Sequence, residues 1–168
     1  MNSYRRTRSA ILEGAKTLIS AVGLARTNMI EIADTAQVSR ATLYNHFRDK
    51  GSVVRAMLES EVDRVFQLLD ADVSPAEILA KISQEISSDP ALATMRETDP
   101  GILLQMLTHS DDDLWQRIRL AIKKLISHEE GARIAQAWLI SQVLQPITLG
   151  ESQEQSRLIV SLKRASLG

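Results

Sequence analysis

Leu, Ile and Ala return every three or four residues through most of this chain, the spacing of one face of an α-helix. That period predicts an all-α protein. One stretch narrows the prediction. Residues 27–50, TNMIEIADTAQVSRATLYNHFRDK, read as two short helices joined by a tight turn. In the first, Met29 or Ile30, Ile32, Ala33 and Ala36 put apolar groups on one face. Val38 falls in the turn, and Ser39 is a suitable cap for the second helix. That helix turns Leu43 and Phe47, four apart, inward. Its outward residues are then Arg40, Ala41, Thr42, Tyr44, Asn45 and His46, with no carboxylate before Asp49. A face of donors and small groups that does not repel phosphate suits the major groove of DNA.

Charge is distributed in the same sense. Residues 1–60 hold nine Lys and Arg against five Asp and Glu, and the other 108 hold eleven against sixteen. A basic first third and an acidic remainder fit a nucleic-acid-binding end joined to a body with another task. The chain has no cysteine, which excludes disulfides, thiolate metal sites and a cysteine nucleophile. No apolar run approaches the roughly 18 residues of a spanning helix. The opening MNSYRRTRSAILEGAK lacks the uninterrupted apolar stretch of a secretory signal. A cytoplasmic protein is expected.

The remaining segments are set by start and stop signals. A first helix is expected from about Thr7 to Val22, stopped by Gly23. Another should run from Ser52 to about Leu69 and join the basic end to the body. Ser74-Pro75-Ala76-Glu77 carries a cap, Pro at the first helical position and Glu at the third. Further along, Asp89-Pro90 and Asp99-Pro100-Gly101 punctuate the body. Helices are expected near 75–87, 91–97, 101–109, 112–127, 129–144 and 152–165, with Gly150 separating the last two. His109 with Asp111, Asp112 and Asp113 is not expected to hold a metal, because three consecutive acids do not share a helix face. No Ser, His and acid constellation is identifiable, so no enzymatic activity and no cofactor are expected.

Gly23, Thr27, Ile32-Ala33, Ala36, Val38-Ser39, Thr42-Leu43-Tyr44, His46-Phe47 and Lys50 resemble, in order and spacing, the DNA-binding domain of the tetracycline-repressor (TetR) family of bacterial transcription regulators. The resemblance covers about residues 7–58. It implies a three-helix helix-turn-helix domain over 1–51 and a helical bundle over 52–168 for ligand binding and dimerisation. Arg40, Ala41, Tyr44 and Asn45 would face base edges; Thr27, Thr42, His46 and Lys50 would hold phosphates, with Ser39 beside them. Arg5, Arg6 and Arg8 would follow neighbouring phosphates as a flexible arm. Two positions depart from the family. Gln37 stands where a turn glycine is usual, and Gly51 where an acidic residue is more common.

A single helix-turn-helix reads only a few base pairs, so a two-fold dimer on a palindromic operator is expected. The last two helices would pair as a four-helix bundle through Ile134, Trp138, Ser141, Leu144, Leu158, Ile159 and Leu162. The middle helices would line a pocket for a small apolar or amphipathic inducer, with Met95, Leu103, Met106, His109, Trp115, Ile118, Ile122, Trp138 and Gln142 as candidates. The function expected is that of a ligand-responsive regulator, a repressor. Two alternatives stand beside it: a DNA-binding architectural or cell-cycle factor of the same fold without an inducer, and a helical interaction module that has lost DNA binding.

Overall fold

The computed structural model describes residues 2–68, 72–108 and 113–162. Among these are ten helices and no strand: α1 (Asn2–Val22), α2 (Met29–Thr35), α3 (Arg40–His46), α4 (Lys50–Leu68), α5 (Pro75–Ser88), α6 (Pro90–Thr98), α7 (Pro100–Thr108), α8 (Asp113–Ile126), α9 (Glu129–Leu144) and α10 (Leu149–Ser161). No helix among the described residues is long and apolar enough to cross a membrane.

The caps explain most of the boundaries. Asn28 accepts from the Glu31 amide and starts α2, and Ser39 accepts from the Thr42 amide and starts α3. Ser74 and Glu77 close a full capping box at α5, with Pro75 in its first turn. Two boundaries differ from expectation. α1 begins at Asn2 instead of Thr7, so the basic arm is helical. α10 begins at Leu149, because Thr148 and Glu151 form a second capping box; Gly150 therefore lies inside the helix it was expected to precede. At the start of α4, Asp49 accepts from the Ser52 amide at 2.8 Å, which supports the turn that contains Gly51.

The chain divides into two compact units, Met1–Glu61 with Pro90–Met106, and Val62–Asp89 with Leu107–Gly168. The first takes in more chain than the expected 1–51. Its core gathers Ile11, Leu12 and Ala15 of α1, Ile32 and Ala33 of α2, Leu43 and Phe47 around α3, and Val53 and Ala56 of α4. α6 packs along α1 in the same unit, and Thr94 Oγ1 donates to the Ser20 carbonyl at 2.6 Å. Gly14 allows α1 to approach α2: a Cβ there would stand 3.0 Å from the Ala36 amide nitrogen.

The second unit is built around Ile78, Leu79 and Ile82 of α5, Ile122 and Ile126 of α8, Ala132, Ala135 and Leu139 of α9, and Ile159 of α10. A buried polar knot joins α5, α9 and α10. Ser83 Oγ donates to Gln142 Oε1 at 2.7 Å and lies 2.7 Å from Ser152 Oγ. Buried hydroxyls and amides need partners, and here they find one another. The C-terminal half of α4 belongs to this unit, where Arg64 makes a two-pronged ion pair with Glu85 and Arg117 pairs with Asp63.

The capping carboxylates make the fold sensitive to acid. Hydrogen bonds from the Ser74 side chain and backbone hold Glu77 below the usual carboxylate range; the Thr148 backbone, then its side chain, does the same for Glu151. A depressed folded-state pKa contributes stability above the unfolded value, about 4.3 for Glu, and loses it as pH falls through the folded value. We expect Tm to drop between pH 6 and pH 3. The double variant Ser74→Ala, Thr148→Ala should be less stable at pH 6, by about 1 kcal/mol per cap, and should show a smaller acid-induced drop. An unchanged acid profile would rule out the caps as its source.

Candidate nucleic-acid interface

α3 is a short helix held by its two apolar residues. Leu43 is 0% exposed and Phe47, just past the helix end, is also buried in the first unit's core. With those two fixed, the helical period leaves Arg40, Ala41, Tyr44 and Asn45 exposed. Tyr44 keeps 53% of its surface. No carboxylate lies on α3. The next one, Asp49, is bonded to the Ser52 amide and paired with Arg48. These interactions, led by the Ser52 backbone bond, hold it below its ordinary range. Four exposed side chains on a helix without a carboxylate make a surface that can enter the major groove.

The half-buried members sit at the two ends of α3. Ser39 Oγ accepts from the Thr42 amide at 3.0 Å and lies 2.7 Å from Thr42 Oγ1. Two hydroxyl hydrogens serve one mutual bond, so one is left to donate outward. At the other end the His46 ring stacks on Tyr4, with centroids 4.2 Å apart. Gln37 adopts φ 54° in the turn between α2 and α3. The glycine departure noted in the sequence therefore falls where the backbone is left-handed, a strain of about 1 kcal/mol. Val38 N to Ala33 O at 3.0 Å secures the turn.

Two expected phosphate contacts have other employment. Thr27 is only 2% exposed, and its hydroxyl donates to the Gly23 carbonyl at 2.8 Å. It closes the loop between α1 and α2 from inside, and Asn28 is the cap. Lys50 Nζ donates to the carbonyls of Leu24 at 2.8 Å, Ala25 at 3.3 Å and Thr27 at 2.9 Å. An ammonium has three hydrogens, and all three are engaged. Lys50 thus holds the α1–α2 loop and is not a free phosphate donor.

Sequence reasoning missed the residue on the other side of that loop. Asp99, 6% exposed between α6 and α7, accepts from the Leu24 amide at 2.7 Å and the Ala25 amide at 3.3 Å. Gly23, with φ 84°, makes this approach feasible, since a Cβ there would lie 2.4 Å from Asp99 Oδ2. The Asp-Pro pair was legible as punctuation. Its partner, more than seventy residues away, was not.

The expected ligand-lining residues are distributed over both compact units. Met95, Leu103 and Met106 belong to the first unit, while Trp115, Ile118, Ile122, Trp138 and Gln142 belong to the second. Ile122 is core, with Ile118 and Trp138 packed against the same cluster, and Gln142 is consumed by the polar knot. His109 lies outside the described residues. Two open surface grooves occur in the second unit instead. One, of about 280 Å³, has Arg119, Lys123, Glu129 and Arg133 in its lining. The other, of about 750 Å³, has Glu77, Lys81, Gln153 and Arg157. None of the expected residues borders either. Of the expected dimer residues, Ile134, Ser141, Leu144, Leu158 and Leu162 are exposed. Ile159 is buried in its own core, and Trp138 Nε1 donates to Gln155 at 2.6 Å within the chain. Those two hold the unit together.

Residues 11–57 match the family model described as bacterial regulatory proteins, tetR family. The chain is 41% identical over 54 residues to the HTH-type transcriptional regulator TtgR of Pseudomonas putida, covering 32% of this chain and 26% of that protein. It is 36% identical over 76 residues to the HTH-type transcriptional repressor KstR2 of Mycolicibacterium smegmatis, covering 43% and 37%. The matched region thus spans about a quarter to somewhat over a third of these relatives' lengths. A TetR transcriptional regulator from Rhodococcus sp. RHA1 superposes with a TM-score of 0.65 at 20% identity, over 98% of both chains. The regulator FadR from Bacillus subtilis, solved with stearoyl-CoA, gives 0.53 at 18% identity over 91% and 97%. Residues 11–57 are thus similar to the tetR family of bacterial regulatory proteins, and the chain shares the all-helical fold of these solved structures.

The loop clamp is testable. Asp99→Ala leaves two backbone amides without their acceptor, and we expect a loss of about 1–3 kcal/mol in urea unfolding. Lys50→Met should cost about 1 kcal/mol, less because the side chain is partly solvated. Unfolding midpoints unchanged in both would show that the clamp does not hold the loop.

Proposed function

We propose that the protein is a ligand-responsive transcriptional regulator that binds a palindromic operator as a homodimer and acts as a repressor. The observation that carries this reading is α3: Leu43 and Phe47 are buried, while Arg40, Ala41, Tyr44 and Asn45 stand exposed on an acid-free helix. In this reading Arg40 donates two bonds to a guanine, Ala41 admits close approach, and Tyr44 and Asn45 complete the base contacts. Thr42 and His46 serve the phosphates. KstR2 is itself described as a repressor, which supports the sign of the effect.

Two recognition helices must sit about 34 Å apart to use successive major grooves. Exposed Ile134 and Leu144 on α9, and Leu158 and Leu162 on α10 and just beyond it, supply the apolar surface for a dimer contact. Ligand acts through α4. Its first half packs in the core of the first unit through Val53 and Ala56, and its second half is tied by Arg64 and Asp63 to α5 and α8. A ligand that favours a different setting of α4 shifts the dimer away from the state that spans two half-sites.

FadR holds stearoyl-CoA, and by that likeness a small apolar or amphipathic molecule is the ligand class assigned here. Because Ile122 and Gln142 are packed as core, binding selects a conformation in which α8 and α9 have parted. The same tight packing favours one second reading, a DNA-binding factor of this fold without an inducer. Thermal shift across a metabolite panel, with and without operator, separates the two.

Selection of bound duplexes from a random-sequence pool should return a palindrome. Arg40→Ala should then relax preference at one base per half-site, by about 1–3 kcal/mol. Recovery of no preferred sequence would overturn the DNA-reading proposal. Light scattering at micromolar concentration should give a dimer mass, and Ile134→Glu with Leu158→Glu should give a monomer. Persistence of the dimer in that variant would place the interface elsewhere.

A further inference from the structure

The smaller groove of the second unit, between α8 and α9, carries a charge opposite to that of its surroundings. Beyond residue 60 acids outnumber bases, sixteen to eleven, yet Arg119, Lys123 and Arg133 line this groove against one carboxylate, Glu129. Helical spacing builds both walls. Gln116, Arg119, Leu120 and Lys123 stand at i, i+3, i+4 and i+7 on α8, and Glu129, Ala132, Arg133 and Gln136 repeat that pattern on α9. Lys123 and Glu129 pair at 2.7 Å and cancel each other. Arg119 and Arg133 are left: among the described residues, neither lies within ion-pair distance of a carboxylate. Their fields nonetheless converge. The Glu129 carboxyl is held below its usual range by the hydrogen bond and charge of Lys123, and further by the charges of Arg133 and Arg119. Arg119 is half-buried and Ala132 buried, while Leu120 keeps 57% of its surface. A guanidinium partly withdrawn from water gains most from an oxyanion that restores its hydrogen bonds. The groove holds about 280 Å³, just below the roughly 300–1,000 Å³ of sites for drug-sized ligands.

We propose that the α8–α9 groove binds a small organic dianion of the phosphate-monoester type, with its oxyanion head between Arg119 and Arg133 and a short apolar body on Leu120 and Ala132. Guanidinium groups pair phosphate oxygens two at a time. A phosphate monoester carries about −1.5 to −2 charges at pH 7, which matches the two uncompensated arginines. Gln116 and Gln136 add amide donors at the two walls. The groove is open as it stands, so this site is separate from the apolar-ligand reading, which needs α8 and α9 to part. An anion held by both helices clasps them together instead.

The test titrates phenyl phosphate into the full chain by calorimetry, without DNA, at about pH 7.5, above the second phosphate pKa of about 6. We expect saturable binding at one site per subunit and a rise in Tm. Inorganic phosphate, the head alone, should bind more weakly, and phenol, the body alone, not at all. Arg119→Gln and Arg133→Gln should each weaken phenyl phosphate by about tenfold or more; Arg133 is exposed, so its variant should keep the unliganded Tm. Leu120→Ser should weaken phenyl phosphate and leave inorganic phosphate unchanged. Arg157→Gln, on the other groove of the unit, should change nothing. Phthalate, a dicarboxylate of similar size, should bind less tightly, and the reverse order overturns the phosphate assignment. No saturable binding of phenyl phosphate, or an equal loss in Arg157→Gln, overturns the site. A duplex that displaces phenyl phosphate overturns it too, by making the groove a DNA-backbone contact. Because binding is read on the free protein, failure of the DNA-binding reading leaves this inference standing.

Discussion

The loop between α1 and α2 is held from both sides, and the placement of α3 depends on it. Asp99 accepts two of its amides, and Lys50 donates to three of its carbonyls. Backbone groups in a partly buried loop must find partners or lose the free energy of hydration. Here a carboxylate and an ammonium supply them, and the charged groups strengthen each bond. The loop leads into α2, α2 into the turn at Gln37, and that turn into α3. A shift at Asp99 or Lys50 is therefore passed to every α3 residue proposed to touch DNA.

This arrangement also explains why the first compact unit is discontinuous in sequence. A three-helix head over 1–51 has a core, but its loop lacks acceptors for the Leu24 and Ala25 amides. The α6–α7 junction provides them, so α6 and α7 pack with the head in one unit. α4 begins in that unit with Lys50 and continues into the second. The segment that clamps the loop and the segment that links the units are thus the same helix.

The local code was largely legible. The caps at Ser39 and Ser74 and the stop at Gly23 were readable, because capping joins groups two to four residues apart. Leu43 and Phe47 were readable as core from spacing alone, and the exposed face of α3 followed from them. The left-handed turn was marked by Gln37 occupying a glycine position. Errors came where one residue type has two uses. Thr27 and Lys50 are polar residues next to the helix proposed to face DNA, and they resemble phosphate donors until their partners are seen. Ile122, Ile159 and Gln142 are equally compatible with a pocket, an interface or a core.

Periodicity and near-neighbour hydrogen bonds were enough to set the ten helices, the helix-turn-helix order and the side chains that α3 exposes; all of this the chain carries in its residue order. Packing decided how the polar residues are spent. Lys50 goes to loop carbonyls, Asp99 to loop amides, Gln142 to two serines, and Tyr4 to the His46 ring. Each of those pairings joins residues more than twenty positions apart, and no periodic pattern encodes a bond across that distance. The physical reason is satisfaction of polar groups: a chain shows which donors and acceptors it carries, but only the packed fold shows which of them remain free for a ligand.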